Sequence, residues 1–175
     1  MALRKKAGAA AICAVSAIIA IVLANGEVRT NQRGLELIGN AEACRRSPYI
    51  CPAGVLTDGI GNTHGVVAGS VKTDAQIAAD WQNNILDAEN CVNRYASGRR
   101  LPDNAFSAAT SVTFRAGCGN LRGSQLFRLL RSGQLELACQ QFPRWIYGGG
   151  RVLPGLVARA EKEQALCLDG LSLAG

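Results

Sequence analysis

Apolar and polar positions divide this 175-residue chain into unlike parts. Residues 7 to 24, AGAAAICAVSAIIAIVLA, carry no charge, whereas Asn25 to Gly34, NGEVRTNQRG, are polar and glycine-flanked. As a helix the first stretch would run about 27 Å at ~1.5 Å per residue, close to the ~30 Å of bilayer hydrocarbon. The second reads as a linker, with a globular body starting near Leu35. Leu35, Leu37, Ile38 and Ala41 recur at helical spacing and predict a short helix ending at or near Glu42, before the Pro/Gly-rich residues 47 to 54. Val55, Ile60, Val66 and Val67, set among glycines and turn formers, predict a small irregular β-hairpin over 54 to 67.

Beyond this the period is helical. Thr73 and Gln76 form a capping box ahead of Ile77, Trp81, Ile85, Ala88 and Val92, a core-facing stripe. Asp103 opens a second helix through Ala105, Phe106, Ala109, Val112 and Thr113. Ser124 to Ser132 forms a third, stopped by Gly133, and 134 to 142 a fourth. Pro154 fits the first turn of a last helix whose apolar face is Leu156, Val157, Ala160, Leu166 and Cys167. Gly148 to Gly150 reads as a flexible loop, since a phosphate cradle would need a preceding strand and a Lys or Ser/Thr partner. The expected fold is α+β, mostly helical with a small β-subdomain. The domain boundaries are an N-terminal segment over 1 to 26, a linker over 27 to 34 and one domain over 35 to 175.

The N-terminal segment is weakly apolar: ten of its eighteen residues are Ala, Gly or Ser. Its seven Ile, Val and Leu residues contribute roughly −2 to −4 kcal/mol towards insertion. Arg4, Lys5 and Lys6 would stay cytoplasmic, sending the body across the membrane. A cleaved signal, a permanent anchor, and a retained helix that enters and later leaves the bilayer are all compatible with this pattern; each exports the body to the periplasm. Those three cations supply half of the net charge of +6. The remainder is mildly basic, suited to a polyanionic matrix but lacking the clustered cations and aromatic platforms of a nucleic-acid binder.

Seven cysteines, at 13, 44, 51, 91, 118, 139 and 167, fit an oxidising compartment. If Cys91, Cys118, Cys139 and Cys167 pair among themselves, in any of three ways, then Cys13, Cys44 and Cys51 form a trio in which only two bond at once. A plain Cys44–Cys51 staple, with Cys13 as apolar filler, is the simpler alternative.

Glycosidic cleavage needs an acid near the leaving oxygen and a second group acting from the other face. Glu42 is the candidate acid, because partial burial beside Ile38 and Ile50 would raise its pKa. Glu42, eight residues, Cys51, five residues and Thr57, followed by Asp58 to Thr63, resembles the active-site stretch of phage-type lysozymes, glycoside hydrolase family 24. Pro52, Gly54, Gly59 and Gly61 match that pattern, while Asp58 and Asn62 depart from it. Asp103 to Asn120 resembles the family's central helix and turn, with Arg115 where Asn is common, and Val152 to Leu166 resembles its last helix.

The resemblance implies a lysozyme-like fold and hydrolysis of the bond between N-acetylmuramic acid and N-acetylglucosamine in peptidoglycan. Glu42 would be the acid, Thr57 would orient water, and Cys51 would stand where Asp is usual. Such a thiol is a poor base unless Arg45 or Arg46 stabilises the thiolate. The apolar segment with its cysteine resembles that of signal-arrest-release endolysins. By that resemblance a Cys44–Cys51 bond would cage the enzyme in the host inner membrane, and release would let Cys13 bond Cys44 and free Cys51. An ion pair from Arg159 to Glu42 is a family-based expectation beside a solvated Arg159/Glu161 pair. No cofactor or metal is implied, the lone His64 excluding a multi-His site, and a monomer is expected. Two alternatives remain: a Cys51/His64 dyad cutting wall peptides, and a non-catalytic glycan binder using Trp81, Trp145 or Tyr147.

Overall fold

The computed structural model describes residues 12–172. Helix α1, Val15–Asn25, is followed by α2, Gln32–Gly39, and by an antiparallel pair, β1 (Cys44–Ile50) and β2 (Leu56–Ile60). The long α3, Asp74–Tyr95, leads to α4, Asp103–Ala116, then the short α5 (Cys118–Leu121), α6 (Gln125–Arg131) and α7 (Leu135–Cys139). A second, minimal pair, β3 (Tyr147–Gly148) and β4 (Arg151–Val152), precedes α8, Pro154–Ser172. This is the expected mostly helical α+β arrangement.

Two apolar cores explain the shape. One surrounds α4: Phe106, Leu121, Leu126, Phe127, Phe142 and Leu166 are all at most 1% exposed. The other gathers Ile18 and Val22 of α1, Leu35 and Ile38 of α2, Ile60 of β2 and Ile77, Trp81 and Ile85 of α3. Helix α3 therefore serves both, its first half in the second core and Cys91 and Val92 in the first. The capping box is formed, Thr73 Oγ1 accepting from Gln76 N while the Gln76 side chain accepts from Thr73 N.

Several elements differ from expectation. The first β-strand begins at Cys44, ten residues before the expected hairpin, and pairs with β2 rather than lying within 54 to 67. Arg45, Arg46 and Pro48 obscure it, and the register slips between Arg45 and Tyr49, where a Pro can be housed at a bulge. Helix α2 starts at Gln32, inside the stretch read as linker, capped by the Asn31 side chain. The preceding residues are held, not free: Arg29 donates to Gly98 O (2.8 Å) and Leu101 O (2.6 Å), pairs with Asp103 (2.9 Å) and lies over the Phe106 ring. Thr30 N and Oγ1 both donate to Glu89 Oε1 at 2.6 Å, out of water. The glycine triplet, expected to be a flexible loop, closes the β3–β4 hairpin, Gly149 and Gly150 taking the positive φ values (57° and 76°) that a two-residue turn requires.

Residues 7 to 11 of the apolar segment lie outside the described residues. Of the remainder, Ile12 bridges to Arg45 and Val15 onward forms the 11-residue α1, whose Ile18, Ile19 and Val22 are buried against the body. Among the described residues no helix is long and apolar enough to cross a membrane.

Candidate active site

Glu42 stands in the bend between α2 and β1, its N–H donating to Gly39 O at 3.2 Å. The carboxyl group lies against the turn after β2, where a Cβ added to Gly61 would come within 3.2 Å of Glu42 Oε2. Gly61 has φ +67°, so both space and backbone favour glycine there. Burial raises the Glu42 pKa, and Arg159, whose Nη1 is 3.8 Å from Oε1, pulls it back only in part. Arg159 is buried rather than solvated and pairs with Glu163 on its own helix, not with Glu161.

Cys51 follows β1 directly. Its N–H donates to Val55 O at 3.0 Å and its own carbonyl accepts from Gly54 N at 2.8 Å, closing a tight turn in which Gly54 has φ +78°. Hydrogen bonds to the sulfur from the backbone of Val55, then from the Thr57 hydroxyl and the backbone of Ala53, lower the thiol pKa, against a smaller opposing effect of burial. The expected arginines do not do this. Arg45 covers the Tyr49 ring at 4.6 Å and Arg46 pairs with Asp74 at 2.6 Å. Nor is His64 among the partners of Cys51.

Thr57 is buried in β2 opposite Tyr49. Its hydroxyl has one proton and two acceptors in reach, Val55 O at 3.0 Å and the Cys51 sulfur. Tyr49 is the common neighbour: its pKa is raised first by burial, then by the charges of Glu42 and, more weakly, of Cys51, against Arg45. The fold thus brings Glu42, Cys51 and Thr57 around one tyrosine.

Asp58 and Asn62, which depart from the family pattern, bind each other across the turn. Their backbones exchange two 2.9 Å hydrogen bonds and Asn62 Nδ2 donates to Asp58 Oδ1 at 2.8 Å. Lys72 Nζ reaches Asp58 Oδ2 and Asp80 Oδ2, each at 2.7 Å, and fixes this turn to α3. Nothing local marked Tyr49 or Lys72, because their partners are set by strand register and by chain crossing.

A cleft of about 260 Å³ separates the turn after β2 (Gly61, Thr63, His64) from α3 and α4 (Asn84, Asp87, Phe114). Gly61, beside which the Glu42 carboxyl group lies, is part of that lining. A larger hollow of about 470 Å³ lies between α2 and α8 and shares only Arg159 with the site. Of the three aromatic candidates, Trp81 is fully buried, Trp145 is half-buried and Tyr147 is 64% exposed.

The cysteines pair as Cys13–Cys44, Cys91–Cys118 and Cys139–Cys167, which leaves Cys51 free. Because β1 pairs Cys44 with Ile60 and Ile50 with Leu56, four strand steps at ~3.3 Å each keep Cys44 roughly 13 Å from Ile50, next to Cys51, beyond the ~7 Å limit of a disulfide.

Residues 39–163 match the family described as phage lysozyme. The chain belongs to the phage lysozyme family. It is a muramidase-type glycoside hydrolase with the lysozyme-like α+β fold, of the kind that lyses phage hosts. It is 53% identical to the SAR-endolysin of Escherichia phage P1 over 94% of this chain and 95% of the relative. The crystal structure of the active form of P1 phage endolysin Lyz superposes with a TM-score of 0.88, 53% identity, and coverage of 92% of this chain and 97% of the other. Its secreted inactive form, at 52% identity, gives only 0.59, covering 81% of this chain and 97% of that one. At nearly equal identity, this phage lysozyme superposes better on the active form than on the secreted inactive form.

Proposed function

We propose that this lysozyme hydrolyses the bond between N-acetylmuramic acid and N-acetylglucosamine, with Glu42, Cys51 and Thr57 as its catalytic residues. The observation that carries this is the placement of Glu42: a carboxyl group kept partly from water, with a raised pKa, beside Gly61, which lines the cleft between the turn after β2 and helices α3 and α4. Burial disfavours the anion, so a proton is held for the leaving oxygen. Cys51, with hydrogen bonds that favour its thiolate, supplies the base or nucleophile on the opposite side, and Thr57 directs its hydroxyl to the attacking water. The glycan lies in the 260 Å³ cleft, because that gap divides the two parts of the fold where the carboxyl group stands.

The domain assignment we propose is an export segment over 1 to 26, a connection over 27 to 34 and the catalytic part over 35 to 175. Residues 7 to 24 hold the monomeric chain in the inner membrane, with the body in the periplasm, until the segment leaves the bilayer. Burial of Ile18, Ile19 and Val22 on the body is worth about 5 kcal/mol or more before entropy, of the same order as the roughly 2 to 4 kcal/mol from lipid. Release thus exchanges one apolar environment for another. In the tethered form Cys44 is bonded to Cys51. Once free, the Cys13 thiolate attacks the Cys44 sulfur, the Cys13–Cys44 bond forms, and Cys51 leaves as a thiolate.

Glu42→Gln tests the catalytic assignment. The folded variant should release no reducing ends from purified glycan, whereas undiminished release would remove Glu42 from the mechanism. Release of amines instead of reducing ends by the parent enzyme would favour a wall peptidase.

A further inference from the structure

Arg159 is shared between two carboxylates. Its Nη1 is 3.8 Å from Glu42 Oε1, but its Nε is closer, 3.3 Å, to Glu163 Oε1 one helical turn on, without an aligned hydrogen bond. Its Nη2 lies 3.4 Å from Ser111 O and Oγ. Glu163 has no exposure to water. It accepts from Ser111 Oγ at 2.7 Å and from Arg115 Nε and Nη2 at 3.1 and 2.7 Å, while Arg115 Nη1 is anchored on Trp145 O at 2.8 Å. Arg115 is thus built into a buried chain of charges ending at Glu42.

We propose that Glu163 is a positioning residue that holds Arg159 back from Glu42, and that Arg115 limits this hold by sharing Glu163. This rests on Glu42 being the acid. Pairing of Arg159 with Glu42 alone would stabilise the carboxylate and drain the proton the reaction needs; loss of Arg159 altogether would leave the carboxyl group without its one facing cation. Glu163 fixes an intermediate distance. Around Glu42 the charged and titratable groups are Arg159 from α8 and Tyr49 from β1, the latter with Arg45 and Cys51 beside it. Around Arg159 they are Glu163 on α8, Arg115 on α4 and Glu42. At an effective dielectric constant of about 20, closing the Arg159–Glu42 gap from 3.8 Å to about 2.8 Å lowers the Glu42 pKa by about one unit.

The test is a pair of variants with opposite expected signs, read by titrating the ¹³C-labelled Glu42 carboxyl resonance, assigned by its loss in Glu42→Gln. Glu163→Gln should lower the Glu42 pKa by about one unit, and Arg115→Gln should move it the other way, upward. The alkaline limb of glycan hydrolysis should follow in each case, giving about a tenfold loss for Glu163→Gln one pH unit above the parent limb. If Glu163→Gln does not fold, Glu163→Asp keeps the charge but withdraws it, and should give a smaller downward shift. An unmoved Glu42 pKa in the folded variants, or movement in the same direction in both, overturns the proposal. A resonance that shifts as expected while the rate profile stays fixed supports the positioning network and instead removes Glu42 as the acid.

Discussion

Cys13→Ser removes the only thiol positioned to bond Cys44 in the released form. On the proposed exchange Cys44 then stays with Cys51, a pairing that needs their Cα atoms within about 7 Å, whereas the paired register of β1 holds Cys44 roughly 13 Å from Ile50, next to Cys51. No small adjustment spans that difference: β1 must come off β2, displacing Tyr49 and Thr57 from their register. The expected outcome is therefore loss of lytic activity, with export unchanged and activity restored by a reductant. The double variant Cys13→Ser/Cys44→Ser cannot be caged and should lyse cells without reductant, but it loses the Cys13–Cys44 staple. With a sequence separation of 31 that bond is worth about 4 kcal/mol by loop entropy, or about 8 to 16 °C in Tm for a chain of this size. Turbidity loss of permeabilised cells, peptide mapping without reduction, and thermal melts give the three readouts. Full activity of Cys13→Ser without reductant would refute the exchange. A folded but inactive double variant would show that the Cys13–Cys44 bond does more than leave Cys51 free.

Two further outcomes follow from geometry. Gly61→Ala places a methyl group 3.2 Å from Glu42 Oε2 at a φ of +67°, so the glycan-hydrolysis rate should fall while stability drops by about 1 to 2 kcal/mol in denaturant titration. Thr30→Val deletes a 2.6 Å hydrogen bond to the buried Glu89 carboxylate and should destabilise the fold by about 1.5 to 3 kcal/mol, measured the same way; an unchanged midpoint would mean that residues 26 to 31 are not docked in solution.

Much of the helical body was legible because its signals are local. Thr73 and Gln76 cap α3, the Ile77–Trp81–Ile85 stripe is buried, and Ser124 and Gly133 bracket α6, each set by residues within a few positions. The spacing of Glu42, Cys51 and Thr57 likewise pointed to one site. What escaped was set by distant partners. β1 is a strand although Arg45, Arg46 and Pro48 read as a break, because β2 supplies its ladder and a bulge absorbs the irregularity. Arg29, Thr30 and Asn31 look solvated until α3 and α4 provide Glu89, Asp103 and Ser107. Of the two expected partners of Arg159, Glu42 is in reach at 3.8 Å and Glu161 is not its partner, while its buried neighbours Glu163 and Arg115 are decided by how α8 lies across α4.

The central claim concerns the Cys51 sulfur in the released enzyme. It is partly exposed and the remaining six cysteines are bonded, so an alkylating reagent applied without reductant has one target. Stoichiometric carboxamidomethylation, verified by peptide mass, should abolish release of reducing ends from glycan. Unchanged hydrolysis by the fully modified protein would contradict the account.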